Sequence, residues 1–200
     1  TVITIDTDIT LDLNGCTITN NVFEDRLFCV TANRFTVEGT ADGSGMMIPG
    51  TNTGAYGFIK IAAPSIVTLN GGTYSGNTDS GAFIRIQNDD TCNASGSTVY
   101  LNDVQMTSNN RFFSTGSNTL TTDADTPTLV VTGGTYETTG QAFGMDVLYL
   151  SPVTFTNVTV TAGTGPCIEV CGPDATFTDC SFTVTNDTNS SHFQATAVAV

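Results

Sequence analysis

One phrase recurs along the chain and limits what it can fold into: a short alternating apolar stretch, a two-residue corner, and a second alternating stretch. It reads LDLNGCTIT from Leu11, VTLNGGTYS from Val67, VYLNDVQMT from Val99, LVVTGGTYE from Leu129, VTFTNVTVT from Val153 and ATFTDCSFT from Ala175, with a degraded copy, FTVEGT, from Phe35. Stacked, the copies align Gly15, Gly39, Gly71, Asp103, Gly133, Asn157 and Asp179 at the second corner residue. All seven are Gly, Asn or Asp, the residues that tolerate a left-handed backbone. A sharp bend made once per repeat, with positive φ at this position, explains the column.

The flanks agree. Leu11 and Leu13, Val67 and Leu69, Val99 and Leu101, Leu129 and Val131, and Val153 and Phe155 alternate before the bend. Ile18, Tyr74, Met106, Tyr136, Val160 and Phe182 form an apolar column after it. Period-two alternation places these inward and their neighbours outward. A third strand per repeat is expected at FIKI near Phe58, FIRI near Phe83, VLYL near Val147 and CIEV near Cys167. The polar stretches GTADGSGMMIPGTNTG, QNDDTCNASGS and SNTLTTDADTP read as projecting loops. The expected fold is all-β: one right-handed parallel β-helix domain over residues 1–200, of about seven coils with three short strands each. An antiparallel sandwich is the alternative, but it has no need of a left-handed residue at one fixed place in each repeat.

This pattern resembles the right-handed β-helix of pectate-lyase-like proteins over nearly the whole chain. The resemblance is to an architecture that hosts many functions. It implies a search for polysaccharide lyase or hydrolase chemistry. Lyases of this type use acidic calcium ligands with a Lys or Arg base, and the cluster that fits is Arg85 with Asp89 and Asp90, in a stretch that otherwise reads as a solvated strand edge and an Asx-rich loop. The hydrolases carry Asn-Thr-Asp, paired Asp, Gly-His-Gly and Arg-Ile-Lys elements. None appears here as a set, and Arg85-Ile86-Gln87 breaks the last. No cofactor or metal site is expected, calcium entering only through the lyase resemblance. His192, the one histidine, lies beyond the last clear repeat.

Charge narrows the partners. Five basic against nineteen acidic residues leave a net −14, so the chain has no basic stripe to neutralise a phosphate backbone. No apolar run is long enough to insert into a membrane. Six cysteines, Cys16, Cys29, Cys92, Cys167, Cys171 and Cys180, together with sequons at Asn93, Asn157, Asn186 and Asn189, point to a secreted or cell-surface glycoprotein. Cys16 with Cys29, and Cys171 with Cys180, fall within about one coil of each other and are the suggested disulfide pairs, although six cysteines admit other connectivities.

After each bend the outward positions are mostly hydroxyl residues: Thr17 and Thr19, Thr73 and Ser75, Thr107, Thr135, Thr159 and Thr161, Ser181 and Thr183. Gln105 and Glu137 interrupt them, and the degraded second copy breaks them again. This resembles the Thr-x-Thr ladders of ice-binding solenoids, although threonine also favours any exposed strand. The sequence opens on the strand-like TVITID and closes on FQATAVAV, so both ends read as uncapped, belonging to a longer chain or stacking on other copies. The leading expectation is therefore a non-catalytic structural module, a filament, surface-coat or adhesin subunit that assembles with itself or with neighbouring domains. A polysaccharide-active or glycan-binding β-helix and an ice-binding protein are the alternatives.

Overall fold

A computed structural model describes residues 1–21, 26–40, 45–48, 57–76, 82–87, 92–116, 127–140, 153–164, 167–169, 174–185 and 198–199. The strands stack as three parallel sheets. Sheet A orders β1 (Ile3–Ile5), β4 (Arg26–Val30), β7 (Gly57–Ile61), β10 (Ile84–Gln87) and β13 (Phe113–Gly116). Sheet B orders β2 (Ile9–Asp12), β5 (Arg34–Glu38), β8 (Ile66–Asn70), β11 (Thr98–Asn102), β14 (Thr128–Thr132), β16 (Val153–Thr156) and β19 (Ala175–Thr178). Sheet C orders β3 (Thr17–Thr19), β6 (Gly45–Ile48), β9 (Thr73–Gly76), β12 (Gln105–Ser108), β15 (Thr135–Thr138), β17 (Thr159–Ala162) and β20 (Ser181–Val184). A further pair joins β18 (Ile168–Glu169) to β21 (Val198–Ala199).

Each strand pairs with its counterpart one turn of chain later, which makes the molecule a parallel β-helix. Among the described residues sheets B and C are seven strands deep and sheet A five. The strand expected near Val147 lies outside the described residues.

The core follows from the alternation. Val67, Leu69, Val99, Leu101, Leu129, Val131, Val153 and Phe155 of sheet B are all at most 1% exposed. Met46, Tyr74, Met106, Tyr136 and Val160 line sheet C from within, and Val30, Ile59, Ile61, Ile84 and Ile86 line sheet A. At about 1.5–3 kcal/mol for a buried large apolar side chain, these columns drive folding. One position before the inward isoleucines of β7 and β10, Phe58 and Phe83 stack edge to face at 4.9 Å, and Phe112 continues the ladder at 6.2 Å. Tyr74 and Tyr136 dock on it against Phe58 and Phe112.

The bend column holds with two corrections. Backbone bonds run Gly39 to Asn70, Gly71 to Asn102, Asp103 to Thr132, Gly133 to Thr156 and Asn157 to Thr178, each N–H donating to the carbonyl of the next layer. Gly71, Asp103, Gly133, Asn157 and Asp179 have φ of 63°, 52°, 68°, 55° and 52°. Gly39 stands in this row without positive φ. Its glycine is required by contact, since a Cβ there would lie 2.7 Å from the Gly72 Cα.

Gly15 does have positive φ, 78°, but stands two residues beyond the row. The row begins at Leu13, whose N–H donates to the Glu38 carbonyl, because Ile9 pairs with Phe35 and Leu11 with Val37. The two surplus residues leave as a tight turn. Asn14 and Gly15 both adopt positive φ, and the Cys16 N–H closes on the Leu13 carbonyl at 2.7 Å.

Three strands fall outside both the recurring phrase and the expected third strands, the first being RLFCV, which is β4. GMMI, within an expected loop, is β6, and its Met46 fills the inward column. FSTG is β13.

Candidate functional site

Sheet C carries the most regular outer surface. Its register brings Thr17, Gly45, Thr73, Gln105, Thr135, Thr159 and Ser181 into one column. Thr19, Met47, Ser75, Thr107, Glu137, Thr161 and Thr183 form the second. Ten of these fourteen positions are the hydroxyl residues named from the sequence, all exposed except Thr73, Ser75 and Thr161, which are half-buried. Beside the second column, Thr107, Ser108, Glu137, Thr138, Thr139 and Thr161 line a shallow depression of about 280 Å³. Thr138 is tied down within it: its Oγ1 donates to the Asn110 carbonyl at 2.9 Å and accepts from the Gly140 N–H at 3.0 Å.

Sheet B shows a related but less even surface. Thr10, Thr36, Thr68, Thr154 and Thr176 share an outward column with Tyr100 and Val130. The next column contains Asp12, Glu38, Asn70 and Asn102. There the Asn102 amide donates to Asn70 Oδ1 at 2.8 Å, and the Asn70 amide donates to Glu38 Oε1 at 2.9 Å. This amide ladder is invisible in the sequence until the register is known. Tyr100, expected to be exposed, is 36% exposed.

On sheet A, Arg85 lies beside Lys60 in register and beside Ser114 on its other flank, as their matching motifs imply. Asp89 and Asp90 lie outside the described residues. The remaining bases are scattered. Arg26 is buried, with Nε donating to the Ala82 carbonyl at 3.3 Å, Arg34 is exposed, and Arg111 half-buried. Among the described residues no three His, Cys, Asp or Glu side chains converge to hold a metal ion. No helix among them is long and apolar enough to cross a membrane.

The disulfide suggestion is corrected. Cys16 and Cys180 carry free thiols, so neither Cys16–Cys29 nor Cys171–Cys180 is formed. Cys16 closes the turn ahead of sheet C, whereas Cys29 stands outward on sheet A beside Lys60; separation by one coil did not bring them together. The Cys180 thiol donates to the Thr178 carbonyl at 3.2 Å, and Cys171 lies outside the described residues. Cys167 is buried, with Sγ donating to the Thr183 carbonyl at 3.2 Å, and burial pushes its pKa up. An alkylating reagent added without reductant is therefore expected to label the exposed Cys16 quickly and Cys167 only on unfolding. Peptide mass mapping reads the result, and an unreactive Cys16 would contradict it.

Of the sequons, Asn157 is exposed at the bend ahead of exposed Thr159. Asn93 is exposed too, its Oδ1 accepting the Ser95 N–H at 3.1 Å in a local turn. Asn186 and Asn189 lie outside the described residues.

Two inward tyrosines complete the titratable inventory. Burial raises the pKa of both phenols far above the usual range, and the carboxylates of Glu38 near Tyr74 and Asp103 near Tyr136 push the same way.

No protein-family model, no curated protein and no solved structure matches the chain.

Proposed function

We propose that this chain is a non-catalytic extracellular structural module whose layers continue into those of a second copy, head to tail. One observation carries the reading. Among the described residues β1, β2 and β3 are the outermost strands of their sheets, and two inward-row isoleucines of this layer present apolar surface: Ile3 is 46% exposed and Ile9 39%. An open parallel edge with an apolar lining is a template for another strand.

The opposite layer has matching alternation. β19 and β20 are the last strands of sheets B and C, with Ala175, Phe177, Phe182 and Val184 packed on the core but only half-buried. Set below β2 and β3, Phe177 continues the row of Leu11 and Phe182 the row of Ile18. Such a contact is heterologous and does not close, so it builds a fibre.

Charge opposes the joint. Asp6, Asp8 and Asp12 surround one end and Asp174 and Asp179 the other, in a chain of net charge −14. Association should therefore strengthen as salt screens the repulsion, and as pH falls toward the pI of about 4.1. Sedimentation and electron microscopy of the purified chain test this. Fibres that lengthen with salt and vanish in Ile9→Lys support it. A chain that stays monomeric at high concentration and high salt refutes it. Glycans at Asn93 and Asn157 would leave the stacking edges clear.

A further inference from the structure

The joint proposed above leaves the outer surface of sheet C unused, and that surface has its own chemistry. Parallel strands repeat about every 4.8 Å, and side chains two apart on one strand are about 6.6 Å apart. The two columns from Thr17 to Ser181 and from Thr19 to Thr183 therefore form a rectangular net of seven rows by two, with hydroxyls at ten of its fourteen points and none in the Gly45–Met47 row. Threonine is stiff at χ1, which orients methyl and hydroxyl alike from row to row. The side-chain hydroxyls of Thr73, Thr107, Thr135, Thr159 and Thr161 make no hydrogen bond to another described residue, so each is free to donate and accept.

We infer that this face binds ice. Holding a water in place costs up to about 2 kcal/mol of entropy, so a hydroxyl net gains little by ordering liquid water. The cost disappears when the waters are already fixed in a crystal, and many weak contacts then add along a regular face. The methyl groups between the hydroxyls lose unfavourable hydration in the same contact. Sheet B does not meet the requirement. Tyr100 projects from its threonine column, and Asp12 and Glu38 charge the neighbouring one. On sheet C, Glu137 is the sole charge in the net, and with Gln105 and the Gly45–Met47 row it marks where the pattern is imperfect.

Those imperfections provide the test. Thermal hysteresis and inhibition of ice recrystallisation are measured on the wild-type chain, on the repaired variant Gln105→Thr/Glu137→Thr, and on Thr135→Lys/Thr159→Lys. A sheet B control, Thr68→Lys, is included, and circular dichroism checks that each variant is folded. The repaired face should raise activity several-fold, the lysines should abolish it, and the control should match wild type. Absence of activity in both wild-type and repaired chains overturns the inference. So does equal loss from the sheet B control, or binding to crystalline cellulose or chitin with none to ice. Failure here leaves end-to-end assembly standing, because the joint uses the strand edges and inward side chains of the outermost layers, whereas the substitutions tested are outward side chains of inner layers.

Discussion

Replacing Gly134 with valine is expected to cost most of the stability of the fold. Gly134 follows Gly133 through the bend between β14 and β15, and its φ is +87°. A Cβ placed there would lie 2.2 Å from the Val104 carbonyl oxygen and 2.9 Å from the Val104 nitrogen, both backbone atoms of the layer beneath. Neither can rotate away. Left-handed strain in a branched residue costs about 1–3 kcal/mol. Forcing apart well-packed layers costs about another 1–3 kcal/mol. The sum is a large share of the roughly 5–15 kcal/mol that holds a domain together. In a stack where every coil depends on its neighbours, the damage passes in both directions. Gly15→Ala is the matched comparison. Its φ is +78°, but nothing lies within 4 Å of the added Cβ, so strain alone acts, at about 1–2 kcal/mol. Guanidinium unfolding midpoints should fall slightly for Gly15→Ala and drastically for Gly134→Val. Equal shifts would mean that close layer contact is not what demands glycine at the bends.

That contrast marks where the sequence was readable. Alternation placed the inward columns of sheets B and C, and the left-handed row was real at Gly71, Asp103, Gly133, Asn157 and Asp179. It misleads at the first two copies for one reason: residue type reports local backbone need, while register is set by what lies one coil away. Gly15 satisfies a two-residue turn that lets the first layer slip, so Ile9 and Leu11, rather than Leu11 and Leu13, meet the second. Gly39 satisfies a close approach by Gly72, which is remote in sequence. β6 reads as loop because its Gly45 stands six residues after the bend at Gly39, where Thr73 stands two after Gly71, and this breaks the phrase that identifies the other strands. The outward threonines of sheet C were legible from the repeat. Their sheet B counterparts, carried by the Thr in VTL, FTV, VTF and ATF, gave the same signal and were overlooked. The Glu38–Asn70–Asn102 ladder was not legible, because nothing local says that these three residues stack.

Raising the pH is expected to unfold this protein through its two inward phenols. An exposed tyrosine in the unfolded chain gives up its proton near pH 10. Tyr74 and Tyr136 hold theirs well beyond that, because burial penalises the phenolate and Glu38 and Asp103 repel it. Above about pH 10 the unfolded state thus binds fewer protons than the native one, and stability falls as pH rises. Below that value their contribution is fully present and flat. The wild-type unfolding midpoint should drop steeply between about pH 10 and pH 12. Tyr74→Phe/Tyr136→Phe should keep most of its stability there, leaving only the shallower contribution of groups such as the buried Cys167 thiol. Tyr74→Phe has a second effect, at neutral pH and of opposite sense to most core substitutions. The Tyr74 hydroxyl is buried with no hydrogen-bond partner, so deleting it should raise stability by about 1–3 kcal/mol. Tyrosinate absorbance separates the two states directly. If both phenols ionise near pH 10 while the fold remains intact, they do not face the closed interior that the stacked apolar columns create.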